Sequence, residues 1–341
     1  MRAAIFYENG GPEVVRIEEV ARPVAAAGEV LVEVRAAALN HLDLWVRRGI
    51  AIETTMPHVG GSDVAGVIAE VGAGVDPGRV GERVVVNPSL WCGHCRECAR
   101  GEESLCATYR ILGEHTNGGF TEVVAVAADR AYRIPDELSF EEAAALPIAY
   151  QTAWRALLTR ARLRPGDDVL VIGASGGAAI AAVQIARLAG ARVFAVTSGE
   201  DNVRRVRELG AAFVYDREKE DWSKAVFRDT GRRGVDVVVE NVGAATWSGS
   251  IRALARGGRL VTYGATAGPV VETDLRVVFW KQLEIIGTTM ASRSEFEDML
   301  RAVAQGALRP VIDSVMPLDQ AREAHERLEA GGQFGKIVLV P

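Results

Sequence analysis

The sequence is poor in lysine, histidine and cysteine. Its 39 basic residues include only four lysines, and the 341 positions hold five histidines and four cysteines. Arginine therefore supplies nearly all of the positive charge. This bias is compatible with a thermophilic source or with a GC-rich genome, and composition does not separate the two.

Two further absences bear on location and partners. The first eleven residues, MRAAIFYENGG, lack the apolar segment that signal peptides contain, so we expect a cytoplasmic protein. The most apolar stretch, residues 168–197, is interrupted by Gly-Ala-Ser-Gly-Gly and by Gln184, which argues against a membrane span. The net charge of −6 gives no overall attraction to nucleic acid or to an anionic membrane, so we expect a small-molecule substrate as the partner.

The length of 341 residues is enough for about two domains, and 48% hydrophobic with 25% charged residues is ordinary for a globular enzyme. Up to about residue 125 the chain consists of short apolar or alternating runs broken by glycine and proline, which predicts a barrel-like β domain. The predicted strands are Arg2–Tyr7, Val14–Glu18, Glu29–Ala37, Val64–Val71, Arg83–Asn87 and Gly119–Val126.

Residues 168–197 have the pattern of strand, glycine-rich turn, helix and strand. Val169–Ile172 is a continuous apolar run suited to a strand buried on both faces. Ala178–Ala189 has helical periodicity, and Arg192–Thr197 is a second apolar run. A parallel βαβ unit with glycines at its first turn is the layout that binds the pyrophosphate of a dinucleotide.

The glycine-rich turn has the residue types that phosphate binding needs. Gly173 permits a tight turn off the strand, and Gly176 and Gly177 let backbone N–H groups approach phosphate without a Cβ in the way. Ser175 lies in the same turn, and Ala179 takes the place of the usual third glycine. We predict that this turn binds a cofactor, the alternative being a purely structural glycine turn.

After this unit strands and helices alternate, which predicts a doubly wound α/β domain. The predicted elements are helix Glu200–Leu209, strand Phe213–Tyr215, helix Trp222–Asp229, strand Val235–Glu240, helix Trp247–Leu254, strand Arg259–Tyr263 and strand Glu284–Thr289. A helical segment, Pro135–Leu163, precedes the unit and is entered at Ser139. The tail from about Met290 predicts two helices and a final strand, Ile337–Val340, which we expect to fold back onto the first domain.

All four cysteines lie in one short segment. Cys92, Cys95, Cys98 and Cys106 have the spacing C-x-x-C-x-x-C, followed by a seven-residue gap. Four thiolates on one loop match a closed tetrahedral zinc site with a structural role. Two disulfides are the alternative, and the missing secretory signal favours zinc. We predict one structural zinc per chain in a lobe of about residues 90–108.

These features together resemble the medium-chain dehydrogenase/reductase superfamily, which includes zinc alcohol dehydrogenases and zinc-free quinone oxidoreductases. The resemblance covers essentially the whole chain. It rests on the four-cysteine lobe and on the segments GGSDVAGVIAEVG at 60–72, TAW at 152–154, GASGGAA at 173–179, ENVG at 240–243 and GKIVL at 335–339.

The resemblance implies two domains with a cleft between them. Residues 1–149 and 290–341 would form a GroES-like catalytic domain, and residues 150–289 a Rossmann domain. It also implies residues that line the cofactor cleft, namely Thr152, Asn241, Gly264 and Thr266. Lys336 is expected to face a cofactor phosphate. Plain packing, or a solvated lysine, is the alternative for each.

Three departures from the zinc alcohol dehydrogenase pattern bear on the metal. In those enzymes the three zinc ligands are the cysteine of a C-H-x-D segment, the histidine of a G-H-E motif and a cysteine four residues before a threonine. The residues at these three positions here are Asn40, Ser62 and Ile148. Asparagine and serine are poor zinc ligands and isoleucine is none. Asparagine at position 40 matches the quinone oxidoreductase branch, so a catalytic zinc is not expected.

The choice between NAD and NADP depends on the end of the second strand. NAD-specific members carry an acidic residue there, whereas this chain has Thr197 followed by Ser198. Without a carboxylate at this position, nothing repels the 2′-phosphate of NADP. Arg204 or Arg205 could reach that phosphate, so the sequence favours NADP. NAD is the alternative for two reasons. Asn202 occupies the position of the lysine that NADPH-using quinone reductases carry, and the acidic residues nearby could bind a ribose.

The first functional hypothesis is hydride transfer between NAD(P)H and a quinone or an α,β-unsaturated carbonyl compound, without an active-site metal. Charge that develops on such a substrate is delocalised, so positioning can supply most of the catalysis. Asn40 is the candidate for holding the substrate oxygen or the nicotinamide ribose, and His41 or Asp43 for relaying a proton. Ser62 and Asp63 would line the place that zinc otherwise occupies.

Two alternatives remain open. The chain could be a zinc-dependent alcohol dehydrogenase with a rearranged site, for which the available residues are His41, Asp63, His58 and His115. It could instead be a dinucleotide-binding protein with a regulatory or structural role and little catalysis. Whichever applies, strand Glu284–Thr289 would be an unpaired sheet edge, so we expect a homodimer joined sheet to sheet, or a homotetramer.

Overall fold

The computed structural model describes residues 1–49 and 54–341. The chain divides into two compact units. Unit 1 consists of Met1–Ile148, Ser292–Ala304 and Arg309–Pro341, and unit 2 of Ala149–Ala291 and Gln305–Leu308. Among the described residues, none of the helices has the length and apolar character needed to span a membrane.

The strands are, in chain order, β1 (Arg2–Phe6), β2 (Arg16–Glu19), β3 (Glu29–Ala38), β4 (His58–Val59), β5 (Asp63–Val71), β6 (Arg83–Val86), β7 (Ser89–Leu90), β8 (Arg110–Ile111), β9 (Val123–Ala127), β10 (Ala131–Arg133), β11 (Asp168–Ile172), β12 (Arg192–Thr197), β13 (Phe213–Asp216), β14 (Val235–Glu240), β15 (Leu254–Thr262), β16 (Glu284–Gly287), β17 (Ile312–Pro317) and β18 (Lys336–Val340). The α-helices are α1 (His41–Arg48), α2 (Arg96–Ala99), α3 (Phe140–Ala144), α4 (Pro147–Trp154), α5 (Gly177–Leu188), α6 (Glu200–Glu208), α7 (Trp222–Asp229), α8 (Trp247–Ala253), α9 (Leu275–Lys281), α10 (Arg293–Ala304) and α11 (Ala321–Ala330). Short 3-10 helices are Pro12–Val14, Pro77–Arg79, Glu103–Leu105, Ala128–Arg130 and Leu318–Gln320, and Arg155–Arg160 is a π-helix.

Unit 1 is built on a seven-stranded sheet in the order β10-β6-β5-β3-β18-β17, with β9 also paired to β3. A three-stranded sheet, β2-β1-β4, and a two-stranded antiparallel sheet, β7-β8, are also present in unit 1. The inward-facing aliphatic residues of these strands and of α11 form one core. The predicted β-rich character of this part of the chain is confirmed. The last strand, β18, pairs with β3 through Val338 and Ala38, so the end of the tail belongs to this sheet.

Unit 2 is built on a six-stranded parallel sheet in the order β13-β12-β11-β14-β15-β16. Every residue of β11 is buried, as the continuous apolar run predicts for a strand covered on both faces. The predicted βαβ unit is confirmed, with α5 between β11 and β12. The strand order reverses direction on either side of β11, which makes this a doubly wound α/β sheet.

Several elements differ from the prediction, among them a broken helix, an early strand start and an unpredicted strand. The expected helix Pro135–Leu163 is broken into α3, α4 and a π-helix, because Pro147 lacks an N–H and its ring excludes the preceding helical turn. Its predicted start is confirmed, since Ser139 caps α3 with its Oγ 3.1 Å from the Glu142 nitrogen. β15 begins at Leu254, which was predicted to end a helix and instead pairs with Val235. β17 was not predicted because it has no continuous apolar run.

Candidate functional site

Three strands of unit 1 bring Asn40, Asp63 and Lys336 together. Asp63 opens β5 and pairs with Ala38 at the end of β3, two residues before Asn40. Ala38 also pairs with Val338 of β18, two residues after Lys336. Paired residues, and residues two apart along one strand, share a face of a sheet, so this register collects all three polar side chains on one face.

These residues form a set of hydrogen bonds that we call the Asn40–Asp63–Lys336 network. Lys336 Nζ donates to Asp63 Oδ2 at 2.9 Å and to Asn40 Oδ1 at 2.6 Å. Asn40 Nδ2 donates to Asp63 Oδ2 at 3.0 Å, and the Ile148 N–H donates to Asp63 Oδ1 at 2.8 Å. Asp63 is 0% exposed and Lys336 is 5% exposed. The network is therefore a buried ion pair that also fixes the Asn40 carboxamide.

The network includes Lys336, for which a different contact was expected. This lysine was expected to face a cofactor phosphate, but its ammonium group is buried against Asp63 and Asn40. A buried carboxylate left without a partner costs several kcal/mol, so Asp63 depends on this charge. The structure places Lys336 with the predicted catalytic residues.

Asp43 adjoins the network through the first turn of α1. Its Oδ2 accepts the Asn40 N–H at 2.7 Å and its Oδ1 accepts the Gly61 N–H at 3.0 Å. Burial raises the pKa of this carboxyl to about 7, against the lowering effect of the two N–H donors and of the Lys336 charge. A carboxyl that titrates near neutral pH is suited to holding and releasing a proton.

His41 and Ser62 complete the predicted catalytic set. His41 is half-buried at the start of α1, and burial lowers its pKa, with a further lowering by the charges of Lys336 and Arg48. Its imidazole is therefore neutral at pH 7. Ser62 is fully buried and its Oγ has no hydrogen-bond partner. A buried hydroxyl without a partner is uncommon in folded proteins and is compatible with a site that meets a ligand.

The other histidines of the alternative metal site have partners elsewhere. His58 Nε2 lies 3.0 Å from the Gly113 oxygen, and His115 Nδ1 accepts the Ile111 N–H at 3.1 Å. Within residues 1–49 and 54–341, only the four cysteines form a group of three or more His, Cys, Asp or Glu side chains whose ligand atoms converge as a metal site requires.

The four cysteines converge beside the short strands β7 and β8. All four are free thiols, so the disulfide alternative is not realised, and their sulfur atoms lie within 4.8 Å of one another. Cys106 Sγ accepts the Cys92 N–H at 3.5 Å, and Cys92 Sγ accepts the Cys95 N–H at 3.4 Å. Four cysteine sulfur atoms around one point suit a tetrahedral zinc ion.

In unit 2 the predicted glycine turn joins β11 to α5. Gly173 has φ = 68°, a left-handed conformation that glycine adopts without strain. The Ala174 N–H donates to the Val196 oxygen at 2.9 Å, and the Gly176 N–H to the Gly173 oxygen at 3.0 Å. The turn, with Ser175 in it, leads directly into Gly177, the first residue of α5. Free N–H groups at this helix start are suited to binding phosphate.

Three more predicted residues meet at the same edge of the sheet. The Asn241 oxygen accepts the Thr266 N–H at 3.2 Å, and a Cβ added to Gly264 would lie 3.3 Å from that oxygen. Asn241 Oδ1 lies 3.4 Å from the position of a Cβ on Gly173. The turns that follow β11, β14 and β15 are therefore adjacent. Because parallel strands bind ligands at their carboxyl ends, this edge is the candidate cofactor site.

Other predicted cofactor residues have separate surroundings. Thr152 is buried in α4, with its Oγ1 3.8 Å from Met290 Sδ. Thr197 is buried at the end of β12 and its Oγ1 has no partner. Arg204 is bound by two acidic side chains of its own helix, α6, and Arg205 is half-buried.

Comparison with known proteins gives concordant matches over the chain. Residues 26–136 match the family model of the alcohol dehydrogenase GroES-like domain, and residues 177–305 that of zinc-binding dehydrogenases. The chain is 32% identical to quinone oxidoreductase of Rattus norvegicus, covering 100% of this chain and 98% of that protein. It is 33% identical to acryloyl-coenzyme A reductase of Metallosphaera sedula, covering 99% of each. A crystal structure of an NAD-dependent alcohol dehydrogenase is 45% identical, with a TM-score of 0.97 and 100% of both chains covered.

The chain belongs to the medium-chain dehydrogenase/reductase superfamily. The predicted fold class, a GroES-like domain with a Rossmann-type parallel sheet, is confirmed. The prediction that the chain is an enzyme, an NAD(P)-dependent oxidoreductase, is also confirmed. The non-catalytic alternative is therefore without support.

Two residues of this superfamily member were missed from the sequence. Glu240, at the end of β14, is fully buried and accepts the Val242 and Gly243 N–H groups at 2.7 and 3.1 Å and the Ser250 hydroxyl at 2.6 Å. It thereby shapes the turn that carries Asn241. An acidic residue ending an apolar strand is the signal that could have found it. Arg217, at the end of β13, donates from Nε to Ser198 Oγ at 2.6 Å.

Proposed function

We propose that this protein transfers hydride from NAD(P)H to a carbonyl-conjugated acceptor, a quinone or an α,β-unsaturated carbonyl compound, without an active-site metal. The observation that carries the proposal is the Asn40–Asp63–Lys336 network. Two of the three residues at the usual zinc-ligand positions, Asn40 and Ile148, belong to it or donate to it. An ammonium group thus supplies the positive charge beside Asp63.

The network is unfavourable for a divalent cation. The Asp63 carboxylate is already neutralised by Lys336, and each of its oxygens has a donor. A Zn²⁺ ion would have to displace the ammonium group or lie beside it at a repulsive distance. Zinc also prefers thiolate and imidazole ligands, which Asn40 and Ile148 do not provide.

The acceptor class follows from the chemistry that an ammonium group supports. Quinones and the acryloyl group, named in two relatives, both have a carbon–carbon double bond conjugated to a carbonyl. Hydride addition to such a system leaves charge that is delocalised onto oxygen. Hydrogen-bond donors can stabilise that charge without a Lewis acid.

We assign separate roles to the residues around the network. A bound NAD(P)H supplies the hydride. Lys336 has a third N–H beyond the two that bind Asn40 and Asp63, and this N–H is the candidate donor to the substrate oxygen. Asn40 holds the ammonium group in place. Asp43, whose pKa is raised by burial to about 7, and the neutral His41 are the candidates for passing a proton to the reduced product.

We propose NADP as the preferred dinucleotide, with NAD as the alternative. The glycine turn of residues 173–177 would hold the pyrophosphate at the start of α5. No acidic residue occupies the end of β12, where Thr197 and Ser198 stand. The four cysteines would hold one zinc ion, whose closed thiolate shell suits it to a structural role.

We also propose that two copies pair through β16, the edge strand of the six-stranded sheet. Large apolar side chains are exposed at and before this edge, namely Leu275, Phe279, Trp280 and Ile285. An open strand edge beside an apolar surface is favourable for association with a second copy.

The decisive experiment measures metal content and activity together. Protein purified without added zinc is analysed by mass spectrometry before and after mild chelation, and assayed with NADPH against quinones, enones and alcohols. We expect one tightly held zinc and a reductase activity that survives chelation. Two metal ions, with activity lost alongside the more labile one, would overturn the proposal in favour of an alcohol dehydrogenase with unusual ligands.

A further inference from the structure

Unit 1 contains a cavity of about 660 Å³. Its walls include buried aliphatic side chains from the core of this unit, namely Ile5, Val59, Val86, Leu112, Val124 and Val126. Ala21, Pro57 and Arg110 also line it and are exposed, so the cavity opens to solvent on their side. The residues of the Asn40–Asp63–Lys336 network are not among the described residues that line it. A cavity of this volume is large enough for a small molecule.

Three polar residues of the lining have buried side-chain atoms without a hydrogen-bond partner in the part of the chain that the structure describes. Asn87 is 0% exposed; its Oδ1 accepts the Ser89 N–H at 3.0 Å, and its Nδ2 is unpaired. Arg130 is 6% exposed and its Nε is unpaired. The Thr116 Oγ1 is unpaired as well. Buried donors nearly always have a partner, so three unpaired ones around one cavity favour a partner from outside the chain.

Backbone hydrogen bonds of unit 1 bring these three residues to the same cavity. The Asn87 N–H donates to the Arg130 oxygen at 2.9 Å, where β6 meets β10. The Leu112 N–H donates to the Pro88 oxygen at 2.9 Å, and Leu112 forms a β-bridge with Thr116. The donors are therefore carried by backbone segments that bind one another directly. Such a site is formed before its ligand arrives.

The charges of the lining favour an anionic group. Arg110 and Arg130 are cations, and Glu29 is the one acidic side chain among the described residues of the lining. The Arg130 guanidinium carbon lies 3.3 Å from the centre of the Trp91 ring, and Arg130 Nη1 donates to the exposed Asp129 Oδ2 at 2.6 Å. These two contacts fix the guanidinium group and leave its Nε–H for another acceptor.

We propose that this cavity binds a monocarboxylate with a long apolar body, such as a medium-chain fatty acid. The carboxylate would accept from Asn87 Nδ2, from Arg130 Nε and from the Thr116 hydroxyl. The hydrocarbon body would pack on the aliphatic walls. Hydrogen bonds to a charged acceptor are stronger than neutral ones, and each buried CH₂ group improves affinity by about fourfold. This ligand is additional to the dinucleotide and to the acceptor of hydride, and its site consists of unit 1 residues alone.

The first test compares three small molecules on the wild-type chain. Calorimetry without nucleotide or hydride acceptor measures the binding of octanoate, 1-octanol and butanoate. We expect octanoate to bind at least about tenfold more tightly than 1-octanol, which has no charge, and than butanoate, which has a shorter apolar body. Equal affinity for octanoate and either of the other two compounds would overturn the proposal.

The second test locates the ligand with Asn87→Asp. This change keeps the oxygen that accepts the Ser89 N–H and replaces the unpaired Nδ2 with an oxygen that repels a carboxylate. We expect the affinity for octanoate to fall at least about tenfold and that for 1-octanol to change by a smaller factor. Thr116→Val removes one donor at nearly constant size and should weaken octanoate by about twofold to tenfold.

Gln320→Glu is the matched control, because it makes the same amide-to-carboxylate change at an exposed position of unit 1 outside the lining. We expect it to leave the affinity for octanoate unchanged. Thermal melting reports whether each variant is folded, and Thr116→Val adds no charge, so it keeps the test decisive if Asn87→Asp does not fold. Octanoate binding that Thr116→Val and a folded Asn87→Asp both leave at wild-type strength would overturn the proposal.

Discussion

The ammonium nitrogen of Lys336 lies 2.9 Å from the carboxylate of Asp63, and both side chains are almost fully buried. Lys336→Met should leave that carboxylate unpaired and lower the free energy of unfolding by about 3–5 kcal/mol. The double variant with Asp63→Asn should lose less than the sum of the two single variants, as chemical denaturation would measure. Lys224→Met is the control, because Lys224 forms an exposed pair with Asp221, and we expect a loss below about 1 kcal/mol. A Lys336→Met protein as stable as the wild type would contradict the buried ion pair.

Asp43 predicts a specific dependence of stability on pH. Its folded pKa is raised to about 7, chiefly by burial, above the value of an unfolded aspartate near about 3.9. Between these values the folded protein keeps a proton that the unfolded chain releases, so the free energy of unfolding falls as pH rises, by at most about 1.4 kcal/mol per pH unit. Asp43→Asn lacks this contribution, so wild type should lose stability relative to the variant between pH 5 and 7. Parallel curves for the two proteins would refute the raised pKa.

The cysteine lobe predicts that metal and stability are lost together. Cys98→Ser should remove zinc from the purified protein and lower its melting temperature, because a site that binds metal only when folded adds the binding free energy to folding. His94→Ala is the control in the same loop, since His94 is exposed and outside the cluster. Retention of a full zinc equivalent by Cys98→Ser would show that four thiolates are not required.

The buried carboxylate of Glu240 shapes the turn that carries Asn241 at the candidate cofactor site. We therefore predict that changing this carboxylate alters nucleotide binding as well as stability. The two oxygens of Glu240 have different donors, since Oε1 accepts from Val242 and Gly243 and Oε2 accepts from Ser250. Glu240→Gln replaces one of these oxygens with an NH2 group, which faces a donor on either side. We expect a loss of about 1–3 kcal/mol in unfolding free energy and weaker binding of NADPH, measured by denaturation and calorimetry. Glu284→Gln, at an exposed site, should change stability by less than about 0.5 kcal/mol. Unchanged nucleotide affinity in Glu240→Gln would contradict the coupling.

Because β16 is an edge strand, we predict a dimer that pairs through it. A single charge introduced beside this strand should disrupt that dimer. Trp280→Glu places a carboxylate on the exposed apolar surface next to this strand, and we expect sedimentation to show a shift from dimer toward monomer. Val24→Glu alters an exposed apolar side chain of unit 1 and should leave the assembly unchanged. A wild-type protein that sediments as a monomer would rule out pairing through β16.

Local patterns predicted several elements of both units well. The apolar run of β11, the glycine turn and the start of α3 at Ser139 all depend on residues close in sequence. The errors arose where a distant partner decides the structure. Leu254 was predicted to be helical and instead begins β15 by pairing with Val235.

The candidate site was harder to predict for the same reason. Lys336 is 273 positions from Asp63 and 296 from Asn40, and nothing in the local sequence connects them. Ser198 follows β12 and Arg217, 19 positions later, follows β13, so only the pairing of these strands identifies Arg217, and not the nearer Arg204, as the neighbour of Ser198. Residue types could be predicted here, but their pairing could not.

The pairing of β18 with β3 has a consequence for synthesis on the ribosome. The strand that fills the sheet beside β3, and the lysine that neutralises Asp63, are made only after residues 149–291 have been translated. At about 5–20 residues per second, the 273 positions between Asp63 and Lys336 take roughly 14–55 s to translate. Throughout that interval the nascent first unit has an unpaired strand edge and an uncompensated acid, and by its end residues 149–291 have been synthesised. The second unit can therefore fold first, and a nascent chain released before β18 emerges would be left with an unpaired strand edge in the first unit.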